Sequence, residues 1–123
     1  KISFLVQIER CQILCIPSIL NEIVYNLCDN AIKYNKENGE VTVKLLKKDK
    51  RVELSVKDTG IGIPYEEQQR VFERFYRVDK SHSKEIGGTG LGLSIVKHGV
   101  MCHNAELKLE SEPGEGSCFK VLF

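Results

Sequence analysis

The sequence of 123 residues has almost no excess of charge of either sign. Lysine and arginine total 18 and the acidic residues 17, a formal net charge of +1, which excludes a general basic surface of the kind that binds nucleic acid. No apolar run approaches the roughly 18 residues of a membrane helix, and residues 1–9 show no signal-peptide pattern. We therefore expect no direct contact with nucleic acid or membrane, and an anionic ligand would need a local cluster of side chains.

The cysteines lack the spacing of a metal site or of a disulfide framework. The five cysteines form an odd set with no C-x-x-C pair, which argues against a zinc site and against a disulfide framework. They are expected to be small apolar core residues in a reducing compartment. The positions are Cys11, Cys15, Cys28, Cys102 and Cys118.

Internal repeats, low-complexity runs and linkers are also missing. Hydrophobic residues make up 41% of the chain and charged residues 28%, which is ordinary for a folded protein and too apolar for a disordered one. A length of 123 residues suits a domain with one hydrophobic core. We expect a single α+β domain over residues 1–123. Because the chain begins with Lys1 rather than Met, we take it to be excised from a longer protein.

The first third of the chain predicts a strand and then a helix. Apolar residues alternate with polar ones from Ile2 to Ile8, which is typical of a strand, and a second short apolar piece follows at Ile13–Ile16. Apolar doublets then recur every four residues, which predicts an amphipathic helix that begins at Pro17 and ends near Lys33 to Asn35.

The rest of the chain predicts two hairpins and two further helices. Alternation within residues 41–45 and 52–56 indicates an antiparallel hairpin, and residues 105–110 and 118–123 indicate a closing hairpin. Between the hairpins we expect a glycine loop at Asp58–Pro64 and then a helix from about Tyr65 to Phe75. A polar loop follows from Arg77 to Thr89. A last helix is expected from about Leu91 to His103, and Asn104 would terminate it in a left-handed conformation.

One edge of the first predicted helix is polar. Glu22, Asn26, Asn30 and Lys33 follow one another at steps of four, four and three, so they share an arc of about 80° beside the apolar stripe. An amide oxygen suits Mg²⁺ and a lysine suits phosphate. The alternative is a solvated helix face, which the spacing by itself favours.

Two glycine clusters flank the middle of the chain. Asp58–Pro64 (DTGIGIP) follows a predicted strand, where a carboxylate can accept a hydrogen bond from an exocyclic amine. Gly87–Leu93 (GGTGLGL) precedes a predicted helix, whose N-terminal N–H groups favour phosphate. Neither cluster fits a Walker loop or a dinucleotide fingerprint, and each by itself is compatible with an ordinary turn.

The order and spacing of four segments are more specific. Asn26–Tyr34 (NLCDNAIKY), Asp58–Pro64, Phe72–Arg77 (FERFYR) and Gly88–Leu93 (GTGLGL) closely resemble the N, G1, F and G2 boxes of sensor histidine kinases. Gly114–Phe119 (GEGSCF) is similar to the final glycine turn of that family, so the resemblance covers nearly the whole chain. It implies the catalytic and ATP-binding domain of the gyrase, Hsp90, histidine kinase and MutL superfamily. That domain is a two-layer α/β sandwich, the Bergerat-type ATP-binding fold, in which a mixed and mostly antiparallel sheet packs on about three helices.

The resemblance also implies roles for individual residues. Asn30 would be the ligand of Mg²⁺, with Asn26 assisting at the metal or the phosphates and Lys33 near the phosphates. Tyr34 would stack on adenine, and Asp58 would accept a hydrogen bond from the adenine amino group.

Other residues would complete the ATP site. Gly60 and Gly62 would shape the adenine pocket, Ser117 would join Asp58 through water, and Arg77 would meet the outer phosphates, which makes Asn26, Lys33 and Arg77 the candidate catalytic residues. The remaining positions expected at the nucleotide are Ile61, Ile63, Tyr76, Gly88, Thr89, Gly90, Leu91, Gly92 and Leu93.

A mobile ATP lid is expected at Val78–Gly87. Phe72 and Phe75 would anchor it, although plain core phenylalanines explain them as well. Asn26 stands where related ATPases carry a glutamate that activates water, so we expect slow hydrolysis of ATP.

The resemblance implies a phosphoryl acceptor that this chain lacks. In the family a histidine of a separate dimerisation domain accepts the γ-phosphoryl group of ATP and passes it to a response regulator. Ser81–Glu85 imitates the start of that acceptor motif and then departs from it, so His82 is expected to be an exposed loop residue. We expect a cytoplasmic catalytic domain whose parent is anchored in the membrane. Two alternatives remain, a catalytically degenerate nucleotide-binding regulatory module and an anti-sigma-type serine kinase of the same fold.

Overall fold

The computed structural model describes residues 1–74, 76 and 91–123. Within them, a five-stranded mixed sheet packs against two α-helices. The expected α/β sandwich is therefore confirmed, with one helix fewer in the described residues than the three or so predicted. Phe75 and the expected lid at 78–87 lie outside the described residues.

The predicted first strand and first helix are both present. Strand β1 spans Ser3–Ile8 and helix α1 spans Pro17–Lys33, with proline at the position whose N–H has no partner inside a helix. The apolar piece at 13–16 forms neither helix nor strand. All six residues of β1 are exposed, and this strand lies at the edge of the sheet, where it pairs only with the next strand.

Both predicted hairpins form. Strands β2 and β3 span Glu40–Lys48 and Arg51–Asp58, and strands β4 and β5 span Glu106–Glu112 and Gly116–Leu122. The strand order is β1-β2-β3-β5-β4, in which β1 is parallel to β2 and the other neighbours are antiparallel. The closing hairpin therefore places β5 in the interior of the sheet, beside β3.

The prediction of a helix from about Tyr65 to Phe75 is wrong. The chain makes a short 3₁₀ helix at Tyr65–Glu67 and then continues through turns to Arg74. Few apolar residues are available here to hold a helix by packing. In addition, Nε2 of Gln68 donates to two backbone oxygens, that of nearby Ile63 at 3.0 Å and that of distant Ser111 at 3.2 Å.

Helix α2 spans Gly92–Cys102, and Asn104 follows it with φ at +52°, as predicted for a left-handed terminator. His103 joins this end of α2 to the start of α1. Its Nε2 accepts the N–H of Ile16 at 3.0 Å, so its Nδ1 carries the hydrogen that goes to the carbonyl oxygen of Gly99 at 2.7 Å. His103 thus has a structural role.

The core lies between the sheet and the two helices. It is formed by residues that recur with helical spacing on α1 and α2 and by alternate residues of the strands. The fully buried side chains are those of Ile23, Leu27, Val41, Val56, Val96, Phe119 and Val121. The alternation that buries Val56 and Phe119 also fixes which polar residues at the strand ends face the helices.

The expectation that the cysteines are core residues is wrong for Cys102, whereas Cys28 packs against the core. Cys102 is exposed and the other four are only half-buried, and all five are free thiols. Neither helix of the described chain has the length and apolar character that crossing a membrane requires.

Candidate functional site

Three polar side chains lie in a row across the sheet on its helix-facing side. Asp58 ends β3 on the same face as Val56, and Ser117 precedes Phe119 on the inward face of β5. Ser111 of β4 is paired with Ser117 in the register of the sheet. The alternation of the strands therefore brings a carboxylate and two hydroxyl groups to one end of the core.

A cavity of about 80 Å³ opens beside this row, several times the space that one water molecule needs. Its walls come from α1, the loop after β3, the turns near residue 71, the start of α2 and β5. The lining residues are Asn30, Tyr34, Asp58, Ile61, Gly62, Ile63, Val71, Tyr76, Leu93 and Ser117. All of these except Val71 are predicted site residues, so the fold brings together side chains that are up to 87 positions apart, Asn30 and Ser117.

Asp58 is the buried charged group of the cavity. It is only 4% exposed, and its Oδ1 accepts the N–H of Gly60 at 2.8 Å and the N–H of Ser117 at 3.3 Å. Of the residues that the structure describes, none donates a hydrogen bond to Oδ2. Burial raises the pKa of this carboxyl above its ordinary value, and the two N–H groups offset part of the rise. Within the described residues, Oδ2 of Asp58 is therefore left to accept a hydrogen bond in the cavity.

The loop after β3 is fixed at both ends by hydrogen bonds. Ile61 donates its N–H to the carbonyl oxygen of Tyr34 at 3.1 Å, which ties the loop to the end of α1. At its far end, Ile63 donates its N–H to the hydroxyl of Ser111 at 2.8 Å. Sequence reasoning missed Ser111 and Gln68. Ser111 bonds to Ile63, 48 positions away, and Gln68 joins the backbone of Ile63 to that of Ser111, 43 positions away.

The predicted metal and phosphate residues lie along one edge of α1. Asn30 is half-buried in the cavity wall, and none of the described residues makes a hydrogen bond with its side chain. Asn26 lies one turn earlier and donates its Nδ2 to the backbone oxygen of Glu22 at 2.8 Å. Lys33 forms an ion pair with Asp29, with 3.0 Å between Nζ and Oδ2.

An amide oxygen on the cavity wall, with no hydrogen-bond partner among the described residues, fits Mg²⁺, which takes oxygen ligands and keeps several waters and phosphate oxygens. No three His, Cys, Asp or Glu side chains cluster as metal ligands would within residues 1–74, 76 and 91–123. Within the described part of the chain, Asn30 is a side chain placed to hold such an ion together with a ligand's own oxygens.

The remaining predicted residues divide into two groups. Gly60, Leu91 and Gly92 are described but do not line the cavity, and Gly92 lies close enough to Asn26 that a Cβ there would be 3.2 Å from Asn26 Oδ1. The residues that lie outside the described part are Arg77, Gly88, Thr89 and Gly90.

The sequence model of the family described as "Histidine kinase-, DNA gyrase B-, and HSP90-like ATPase" matches residues 15–123. The chain belongs to this ATPase family. The match covers the row of polar residues, the cavity and both helices. The predicted resemblance to the catalytic domains of sensor histidine kinases is confirmed by the relatives as well.

One such relative is the sensor-like histidine kinase SenX3 of Mycolicibacterium smegmatis, which is 47% identical over 103 residues, or 84% of this chain and 27% of SenX3. Among solved structures, the mycobacterial sensor histidine kinase MprB has a TM-score of 0.86 at 34% identity, over 99% of this chain and 80% of that one. Full-length ShkA in complex with AMPPNP has a TM-score of 0.80 at 31% identity, over 99% of this chain and 25% of ShkA. The chain spans about a quarter of the length of the curated relatives it matches.

Proposed function

We propose that this domain binds Mg²⁺-ATP and donates the γ-phosphoryl group to a histidine in a dimerisation domain outside the chain. The phosphoryl group would then pass to a response regulator in two-component signalling. The observation that carries the proposal is the buried Asp58 carboxylate at the wall of a cavity, whose Oδ2 has no hydrogen-bond donor among the described residues. Burying a charge is costly unless partners compensate it, and two N–H groups compensate Oδ1 only.

The cavity fits the adenine end of ATP. Oδ2 of Asp58 is suited to accept a hydrogen bond from an exocyclic amino group, and Ile61, Ile63 and Leu93 supply apolar surface for a flat ring. Tyr34 offers an aromatic face at the same cavity. ShkA, a relative of the same fold, has been solved with the ATP analogue AMPPNP, which supports a nucleotide as the ligand.

The phosphates would extend from the cavity along the polar edge of α1. Asn30 would supply the protein oxygen for Mg²⁺, and Lys33 would exchange its ion pair with Asp29 for a phosphate oxygen. Bound Mg²⁺ would neutralise charge on the phosphate oxygens. Arg77 is proposed to orient the outer phosphates.

Asn26 bears on the fate of bound ATP. An amide side chain cannot remove a proton from water as a carboxylate can, so the domain is proposed to hold ATP for transfer and to hydrolyse it slowly. The parent protein is proposed to be anchored in the membrane with this domain in the cytoplasm, as the resemblance to sensor kinases implies.

Calorimetry with Mg²⁺ and a non-hydrolysable ATP analogue tests the binding site. We expect micromolar or weaker binding by the wild-type chain and no measurable binding by Asp58→Ala. Asp58→Asn and Asp49→Asn form a matched pair, since Asp49 lies in the exposed turn between β2 and β3, away from the cavity. Equal affinities in this pair would show that the base site is misplaced.

Labelling with γ-³²P-ATP tests the reaction. Mixed with the dimerisation domain of its parent kinase, this chain should label a histidine in that domain, with acid-labile phosphate. Acid-stable label on serine would point instead to an anti-sigma-type kinase. Nucleotide binding with no transfer to any acceptor would point to a degenerate regulatory module.

A further inference from the structure

Ser111 has a complete set of hydrogen bonds at the back of the cavity. Its Oγ accepts the N–H of Ile63 at 2.8 Å and donates to the carbonyl oxygen of Gly116 at 3.0 Å. It also lies 2.9 Å from the Oγ of Ser117. Ser111 does not line the cavity, whereas Ser117 does.

The donor in the serine pair follows from counting hydrogens. A serine hydroxyl has one hydrogen to donate and two lone pairs that accept. The hydrogen of Ser111 goes to Gly116, and one lone pair accepts from Ile63, so the remaining lone pair faces Ser117. The arrangement that satisfies all of these contacts has the hydroxyl hydrogen of Ser117 pointing at Ser111.

In this orientation the hydroxyl oxygen of Ser117 can only accept hydrogen bonds from a ligand in the cavity. Its neighbour there is Asp58, whose ionised carboxylate is likewise an acceptor, and the N–H of Ser117 itself is used by Oδ1 of Asp58. The polar end of the cavity thus presents two acceptors and no hydroxyl donor from this pair. A purine with an amino group at C6 can donate a hydrogen bond to such a wall. An oxo group at C6 is itself an acceptor, so it would be repelled by the acceptors of the wall.

We propose that Ser111 is a specificity-positioning residue, which selects a 6-amino over a 6-oxo purine by fixing the hydroxyl of Ser117 as an acceptor. The inference rests on the proposed function, because it assumes that the cavity receives the base of a nucleotide. It goes further by assigning the discrimination between bases to a residue that does not touch the ligand.

Gln68 provides a matched control in the same place. Its Nε2 donates to the backbone oxygens of Ile63 and Ser111, so it holds the same loop and the same strand. It makes no contact with the hydroxyl of Ser111 or of Ser117 among the described hydrogen bonds. Loss of Gln68 should loosen the cavity without releasing the Ser117 hydroxyl.

The test compares the affinities for ADP and inosine diphosphate. The two differ at C6, which carries an amino or an oxo group, and at N1, which is an acceptor in ADP and carries a hydrogen in inosine diphosphate. The wild-type chain should prefer ADP. Ser111→Ala frees the Ser117 hydroxyl to donate, so the preference should fall by about tenfold, the scale of one hydrogen bond. Ser111→Thr keeps a hydroxyl and should restore the preference. Gln68→Ala should weaken both nucleotides equally.

The two serines should also act as one unit. In a Ser117→Ala background, Ser111→Ala should leave the ratio of affinities unchanged. If Ser111→Ala does not fold, Ser111→Cys carries the same prediction, since a thiol is a weak acceptor.

A ratio that stays the same in Ser111→Ala while both affinities fall, as expected for Gln68→Ala, would show that Ser111 only holds the loop. A wild-type chain that binds both nucleotides equally would also overturn the inference and leave nucleotide binding intact. Failure of the wild-type chain to bind either nucleotide would instead overturn the proposed function itself.

Discussion

Replacing Gly60 with alanine tests how closely the loop after β3 packs against the end of α1. A Cβ at this position would lie 2.1 Å from the carbonyl oxygen of Tyr34, well inside the 3.0 Å that Cβ atoms keep from other heavy atoms. Because the obstacle is backbone, the loop must move, and two hydrogen bonds must stretch. These are Ile61 N–H to Tyr34 O at 3.1 Å and Gly60 N–H to Asp58 Oδ1 at 2.8 Å.

The expected loss follows from these contacts. Overpacking costs about 1–3 kcal/mol and each hydrogen bond contributes about 1 kcal/mol, so the free energy of unfolding should fall by about 4 kcal/mol. For a chain of this length that lowers the Tm by about 15 °C, measured by circular dichroism. Nucleotide binding, measured by calorimetry, should be lost as well.

Gly114→Ala is the control for this experiment. Gly114 has φ at +85° and open space around its Cα, so alanine there costs only the strain of a left-handed conformation, about 1 kcal/mol, or about 4 °C. Nucleotide binding should persist. If Gly60→Ala lowers the Tm no more than Gly114→Ala does, the close approach of the loop to α1 is refuted.

Two further predictions concern Asp58 and His103. Burial raises the pKa of Asp58, so its folded form binds a proton more tightly, and the stability of the wild type relative to Asp58→Asn should increase as the pH falls through that raised pKa. Nucleotide affinity should decline over the same range, and a midpoint at or below the ordinary pKa of aspartate, about 4, would contradict this. His103→Ala removes bonds to Ile16 and Gly99 and should cost about 2 kcal/mol in chemical denaturation, whereas exposed His98→Ala should cost under about 0.5 kcal/mol. Equal losses in the two histidine variants would count against the structural role of His103.

The regular elements were predictable because their signals are local. Apolar doublets every four residues specify one buried stripe on α1, and the structure buries Ile23, Leu27 and Ala31 along it. Alternation specifies the hairpins in the same way, and Asn104 ends α2 as predicted. The prediction for the segment after Pro64 failed because Gln68 there bonds to the backbone of Ile63 and of the remote Ser111. No local pattern reveals the bond to Ser111.

The candidate site was predictable only as far as its motifs reach. Family resemblance named nine of the ten residues that line the cavity, and their roles remain predictions. Ser111 carries no motif of its own, and its importance depends on pairing with Ser117 across two strands and on a bond to Ile63, 48 positions away. A side chain that acts by orienting another side chain produces no recognisable sequence pattern.

The two ends of the proposed ATP site differ in how fully they are prepared for a ligand. At the base end, hydrogen bonds among the described residues hold the side chains of Asp58 and Ser117 and leave each with an acceptor for a ligand. Binding of a base would therefore require little further ordering of these side chains. At the phosphate end, Lys33 is paired with Asp29, and both side chains are 34% exposed. Such a pair is worth under about 1 kcal/mol, so a phosphate oxygen can replace Asp29 at small cost. Base identity would then be set by rigid contacts, and phosphate binding by an exchange of ion pairs that salt weakens.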